Sequence, residues 1–146
     1  MTIIEVQDIS ALSKVTAHLI TLMEHYKIFL LKGDLGAGKT TLVKQWMNDI
    51  GIVENVSSPT FSIINEYRNT ERSVFHMDMY RLKEIDEALN IGIEEYIYES
   101  GSYNIIEWPG LIMNLIDDAY VLINISVTEE QRTFTITEHQ VEDKRS

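Results

Sequence analysis

The sequence predicts an α/β fold: one domain over residues 1–146, three layers deep, with helices on both faces of a mixed, mostly parallel sheet and antiparallel hairpins. Three observations predict it. Short apolar runs alternate with amphipathic helical patterns early in the chain. A glycine-rich turn, "GDLGAGKTT" (33–41), joins one such run to one such pattern. Pairs of strand-like segments separated by polar turns fill the middle and the C-terminal part.

The elements follow in order. Ser10 is placed to cap a helix that runs to about His25, because Leu12, Val15, Leu19, Leu22, Met23 and Tyr26 recur at spacings of three and four. "KIFLLK" (27–32) is a short apolar run, the pattern of a buried strand. From Lys39 to about Ile50 a helix is expected, with Leu42, Trp46 and Ile50 on one stripe, Val43 and Met47 beside it, and Gly51 placed to end it. "SSPTF" (57–61) reads as a loop, since Pro59 turns Ser58 away from helical geometry. "SIINEY" (62–67) and "RSVFHMDMY" (72–80) predict an antiparallel strand pair. "KEIDEALN" (83–90) predicts a helix with Gly92 beyond it, and "YNIIEW" (103–108) a second buried strand followed by a short helical turn over 109–117. "YVLINISV" and "RTFTITEH", separated by "TEEQ", predict a final hairpin, and the tail "VEDKRS" is expected to be loose.

Composition narrows the function. The chain carries 12 basic and 23 acidic residues, a net charge of −11, and the basic residues are scattered along it. Tight nucleic-acid binding draws mostly on neutralised phosphates, so direct binding is not expected and any link to nucleic acid runs through a partner. No apolar run approaches the roughly 18 residues of a membrane span. "MTIIEVQDIS" lacks a basic segment followed by an apolar one, so no signal peptide is expected. The absence of cysteine excludes disulfide and thiolate chemistry and fits a cytoplasmic location.

Gly33, four further residues, then Gly38, Lys39 and Thr40 satisfy the P-loop pattern. The glycines let the backbone turn tightly and approach oxygen atoms with no Cβ in the way. The N–H groups of residues 35–40, from Leu35 through Gly36, Ala37, Gly38, Lys39 and Thr40, then form an anion nest at the positive end of the following helix. In this pattern Lys39 reaches the β- and γ-phosphates of a nucleotide, and the Thr40 hydroxyl is offered to Mg²⁺.

A P-loop also needs an acid on the metal side. "VFHMD" (74–78) supplies Asp78 at a strand end, and "NIIEWP" supplies Glu107 at another. Glu107 could bind Mg²⁺, orient water, or do both. His76 reads as a hydrogen-bonded strand histidine ahead of a catalytic base. Ser57, Ser58 and Thr60 sit where a switch loop would meet the γ-phosphate or Mg²⁺. Arg81 and Arg68 are candidate stabilisers of transition-state charge, with a surface role the first expectation for Arg68.

The guanine-reading Asn-Lys-x-Asp and the Asp-x-x-Gly of GTPases are both absent. The chain has little room for the lid and arginine-lined pocket of a small-molecule kinase. A minimal nucleotide-binding domain remains, one that hydrolyses ATP slowly or switches a partner. A small-molecule kinase and a non-hydrolysing nucleotide-binding module stand as the alternatives.

"GDLGAGKTT" (33–41), "SPTFSIINEY" (58–67), "HMDMYRL" (76–82), "GIEEY" (92–96) and "EWP" (107–109) resemble, in order and spacing, the TsaE family, formerly called YjeE. The resemblance covers nearly the whole chain. It implies a bacterial Mg²⁺-dependent ATPase required for threonylcarbamoylation of adenosine 37 in tRNAs that read codons beginning with A. It implies partners, a heterodimer of TsaD and TsaB whose cycle ATP drives, with tRNA reached only through them. It also implies roles: Lys39 and residues 35–41, Thr41 included, on the phosphates; Thr40 and Glu107 on Mg²⁺; Asp78 as the Walker B acid; and Trp108 as functionally important. Asp8 and Arg132 fall where the family contacts the nucleotide.

Overall fold

The computed structural model describes residues 1–34, 36–53, 56, 64–98, 101–128 and 131–140. Within them, seven strands form one sheet in the order β1-β7-β6-β2-β5-β4-β3. They are β1 (Thr2–Val6), β2 (Ile28–Lys32), β3 (Ile64–Arg68), β4 (Ser73–Asp78), β5 (Ser102–Glu107), β6 (Tyr120–Val127) and β7 (Arg132–His139). The central four, β6, β2, β5 and β4, run parallel to one another. Antiparallel neighbours close both sides: β3 on β4, and β7 then β1 beyond β6.

The apolar run of β2 has a packing cause. Phe29 and Leu31 enter one core while Ile28 and Leu30 enter the other. A strand buried on both faces needs no polar alternation. On the first face lie α1 (Ser13–Leu22) and α2 (Lys39–Asp49), whose buried apolar residues are among those the three-and-four spacing selects. Trp46 anchors that core, its ring edge-on to Phe29 at 4.9 Å and its indole N–H donated to Met23 Sδ at 3.2 Å. On the second face lie α3 (Ile85–Asn90), α4 (Ile93–Tyr98) and a 3-10 turn over Pro109–Leu115. Helices on both faces make the expected three layers. Among the described residues no helix is long and apolar enough to cross a membrane.

The structure differs from the sequence reading at three places. Asp8, not Ser10, makes the first cap: its carboxylate accepts the Ser10 N–H at 3.1 Å and opens a 3-10 turn over Ile9–Ala11 before α1. An aspartate bonding the backbone two residues on competes well with helix initiation. Strand β1 is an addition. Its residues Thr2–Ile4 pair with Phe134–Ile136 of β7, yet Ile3 is 55% exposed, so its apolar residues carry no clean alternation. Helix α4 is the third. Gly92, at φ 79°, ends α3, and six residues are too few to display a helical stripe.

Candidate nucleotide-binding site

The parallel strands bring their carboxyl ends to one edge. Leu31 of β2 stands beside Glu107 of β5, Glu107 beside Asp78 of β4, and Lys32 beside Asn124 of β6. Ligands of open α/β sheets bind outside this edge. A cavity of about 900 Å³ opens there, lined by residues of the glycine turn, by Met79, Tyr80 and Trp108, and by Asn124–Val127.

The glycine turn leaves β2 and enters α2. Gly36 and Gly38 have φ of 82° and 101°, conformations that side chains resist. A Cβ on Gly33 would lie 3.1 Å from the Ile125 carbonyl oxygen, so the turn also packs closely against β6. Lys39 is the first residue of α2 and is only 7% exposed. Its ammonium donates to the Gly33 carbonyl, lies 3.5 Å from the Asp34 carbonyl, and faces the Trp108 ring at 4.1 Å from its centroid. Burial pushes its pKa below the usual lysine value, opposed by the carboxylates of Glu107, Asp78 and Asp34. Thr40 follows in the first turn of α2, half-buried, and Thr41 is exposed beside it.

Opposite the turn stand the acids. Asp78 accepts the Tyr80 N–H at 2.9 Å. Burial raises its pKa above the usual carboxylate value; the Tyr80 N–H opposes this, and the Glu107 charge adds to it. Glu107 is 3% exposed, and its Oε2 lies 2.5 Å from Nε2 of the fully buried His76. Tyr67 Oη lies 3.2 Å from His76 Nδ1, and Asn65 Nδ2 donates to Tyr67 Oη at 3.3 Å. The oxygen donors Thr40, Asp78 and Glu107 fit Mg²⁺, which is held by one or two carboxylates together with phosphate oxygens. Among the described residues no group of three or more His, Cys, Asp and Glu could form a protein-only metal cage.

Trp108 follows Glu107 at φ 54° and ψ 58°, the one non-glycine residue with positive φ among those described. That conformation costs an L-residue roughly 1–2 kcal/mol, and such strain gathers at functional sites. The indole is held between the Lys39 ammonium and the Tyr80 ring, 4.9 Å away.

Arg132 opens β7 and donates from Nε to the Ala37 carbonyl at 2.9 Å, so it lies across the glycine turn. Asp8 is exposed two residues beyond Val6, whose sheet partner is Arg132. The structure thus brings Gly36, Ala37, Gly38, Lys39, Thr40, Thr41, Asp78, Glu107, Trp108 and Arg132 to one edge, with Asp8 near it. Arg68 does not join them: it pairs with Ser73, the opposite end of β4 from Asp78, and meets Glu66 at 3.4 Å on the surface. Arg81 is exposed in the turn after β4. Leu35, Ser57, Ser58 and Thr60 lie outside the described residues. The Asn65–Tyr67–His76 link to Glu107 escaped the sequence reading. Its signal was the register of the central hairpin, which sets Asn65 opposite His76.

The TsaE profile, described as threonylcarbamoyl adenosine biosynthesis protein TsaE, matches residues 6–135. The chain belongs to the TsaE family. Proteins named tRNA threonylcarbamoyladenosine biosynthesis protein TsaE resemble it from Haemophilus influenzae, at 36% identity over 73% of this chain and 66% of that one. The Bacillus subtilis protein of that name is 35% identical over 90% of this chain and 80% of its own length. The chain therefore spans just under two thirds of the Haemophilus relative. The crystal structure of Bacillus subtilis YdiB superposes with a TM-score of 0.69 at 28% identity, covering 97% of this chain and 86% of that one. The TsaE match encloses the glycine turn, both strand-end acids, Trp108 and Arg132.

Proposed function

We propose that the chain is a single-domain, cytoplasmic P-loop ATPase that serves threonylcarbamoylation of adenosine 37 in tRNAs reading codons that begin with A. It binds and hydrolyses Mg-ATP to cycle a complex of TsaB and TsaD, and meets tRNA through those partners. The observation that carries this reading is Lys39, at the start of α2 with Thr40 next to it, within electrostatic reach of Asp78 and Glu107, which lie in register at adjacent strand ends.

The chemistry follows from that meeting. The nest and the α2 N-terminus receive the phosphates, and Lys39 exchanges its carbonyl contacts for phosphate oxygens. Thr40, Glu107 and Asp78 would hold Mg²⁺, which neutralises charge developing on the phosphates. Water attacks the γ-phosphorus and loses a proton to solvent, the bond to the oxygen bridging the β- and γ-phosphorus breaks, and ADP and inorganic phosphate leave. Asp8 and Arg132 would contact the nucleotide, Arg132 from across the turn. The net charge of −11 supports indirect contact with tRNA.

The test is reconstitution with TsaB, TsaD, tRNA and an activated threonylcarbamoyl donor. Many modified tRNAs per TsaD are expected with the chain and ATP present, and single-turnover behaviour without it. Equal turnover with and without the chain would overturn the reading.

A further inference from the structure

We propose that His76 is a positioning residue for Glu107 and that it commits one oxygen of Glu107 so that the other serves the metal–nucleotide. The inference rests on the Mg-nucleotide reading above.

Hydrogen-bond direction carries it. Asn65 Nδ2 donates to Tyr67 Oη at 3.3 Å. Tyr67 Oη in turn lies 3.2 Å from His76 Nδ1. A carboxylate oxygen accepts, so the hydrogen between His76 Nε2 and Glu107 Oε2, 2.5 Å apart, is donated by the imidazole. The environment makes the arrangement costly to hold for packing alone. His76 is fully buried, and its neighbours on β4, Val74, Phe75 and Met77, are all apolar and buried. An aliphatic residue would fill that position without a polar partner. Instead both ring nitrogens are engaged, and Nε2 donates to the acid that faces Lys39. Histidines that ligate metals are oriented by an outer carboxylate or carbonyl; here the order is reversed, with an outer histidine orienting a ligating carboxylate. Because Asn65 and Tyr67 belong to β3, the edge strand is coupled to the metal side of the site through one buried contact.

The experiment measures ADP affinity by calorimetry, with and without Mg²⁺, in the full chain and in His76→Leu, His76→Asn and His76→Gln. Thermal melts accompany each variant. In His76→Leu the Mg²⁺ enhancement should fall about 10–100-fold, the usual effect of losing an outer-shell partner, while metal-free ADP affinity stays as in the parent. His76→Gln places an amide donor near the Nε2 position and should recover most of the enhancement. His76→Asn places its donor near Nδ1 and should not. Nitrogen NMR of the 4 histidines in the free protein should show a hydrogen on His76 Nε2. A folded His76→Leu with parental Mg²⁺ enhancement would overturn the inference alone, as would equal losses in the Leu, Asn and Gln variants. An Nδ1–H tautomer would do the same even if the His76 variants fail to fold. Absence of any Mg²⁺ enhancement in the parent would overturn the nucleotide reading itself.

Discussion

The two sides of the site are built on different principles. The phosphate side is local: residues 33–41 are consecutive, and glycine conformations, a lysine and a helix start are enough to make it. The acid side is assembled from distant parts of the chain. Asp78 and Glu107 meet because β4 and β5 pair in parallel register, and Glu107 is held by a histidine from β4 that is held in turn by β3. The phosphate side works with backbone N–H groups, which need only the right turn. The acid side works with a buried Glu107 and a half-buried Asp78, whose charges are offset by Lys39 and by donated hydrogen bonds.

Substitutions on the two sides should therefore fail differently. Lys39→Ala should lower partner-stimulated phosphate release by at least about 100-fold, the scale of losing one transition-state contact, and should weaken ADP with and without Mg²⁺. Glu107→Gln should lower release on the same scale but spare metal-free ADP binding. Release kinetics and calorimetry together check the contrast; equal loss of metal-free affinity in both would erase it.

Gly38→Ala probes the phosphate side's dependence on backbone. At φ 101° an added Cβ is strained, and it would also lie 3.2 Å from Arg132 Nε. The expected stability loss is roughly 1–2 kcal/mol, with weaker nucleotide binding. Adding Arg132→Ala should restore little, because the strain lies in the backbone; full recovery in a denaturant melt would refute that.

Trp108 gives the acid side its own strained position. Trp108→Gly and Trp108→Ala both remove the ring, but only glycine tolerates φ 54° freely, so the glycine variant should be more stable by about 1 kcal/mol. Equal denaturation midpoints would mean that the chain relaxes out of the left-handed conformation once the ring is gone.

The smallest effect concerns Asp78. Its folded pKa is raised by burial, so its ionised form opposes folding. That cost is full above the raised pKa and vanishes below the usual value of 3.8. Asp78→Asn should thus be slightly more stable than the parent at neutral pH, by no more than about 1 kcal/mol, since solvent screens this half-buried group. The gap should close as pH falls through the raised pKa toward 3.8. A gap that widens in acid would reverse the sign of the argument.

The same division explains what the sequence made legible. The glycine turn, β2 and α2 are coded by neighbouring residues, and Leu42, Trp46 and Ile50 are all buried as their spacing requires. Asp78 and Glu107 could be singled out because each ends an apolar run. Their pairing partner could not be read, since register is a relation between distant segments. His76 was recognisable as a hydrogen-bonded strand residue, but its partners depend on which face of β4 meets Glu107 and on Tyr67 lying across the strand. Strand β1 was hidden because an exposed edge strand draws its conformation from pairing with β7 more than from its own pattern. The strain at Trp108 is likewise invisible in a sequence, where tryptophan gives no sign of a left-handed backbone.

In the proposed function the two sides jointly transfer the γ-phosphate of ATP to water under a partner's control. The most direct measurement follows label from γ-labelled ATP with the chain alone and with TsaB and TsaD. Slow release of inorganic phosphate is expected from the chain alone, with a rise when both partners are present and loss of that rise in Glu107→Gln. Label appearing on an organic acceptor, or a release rate indifferent to the partners, would contradict it.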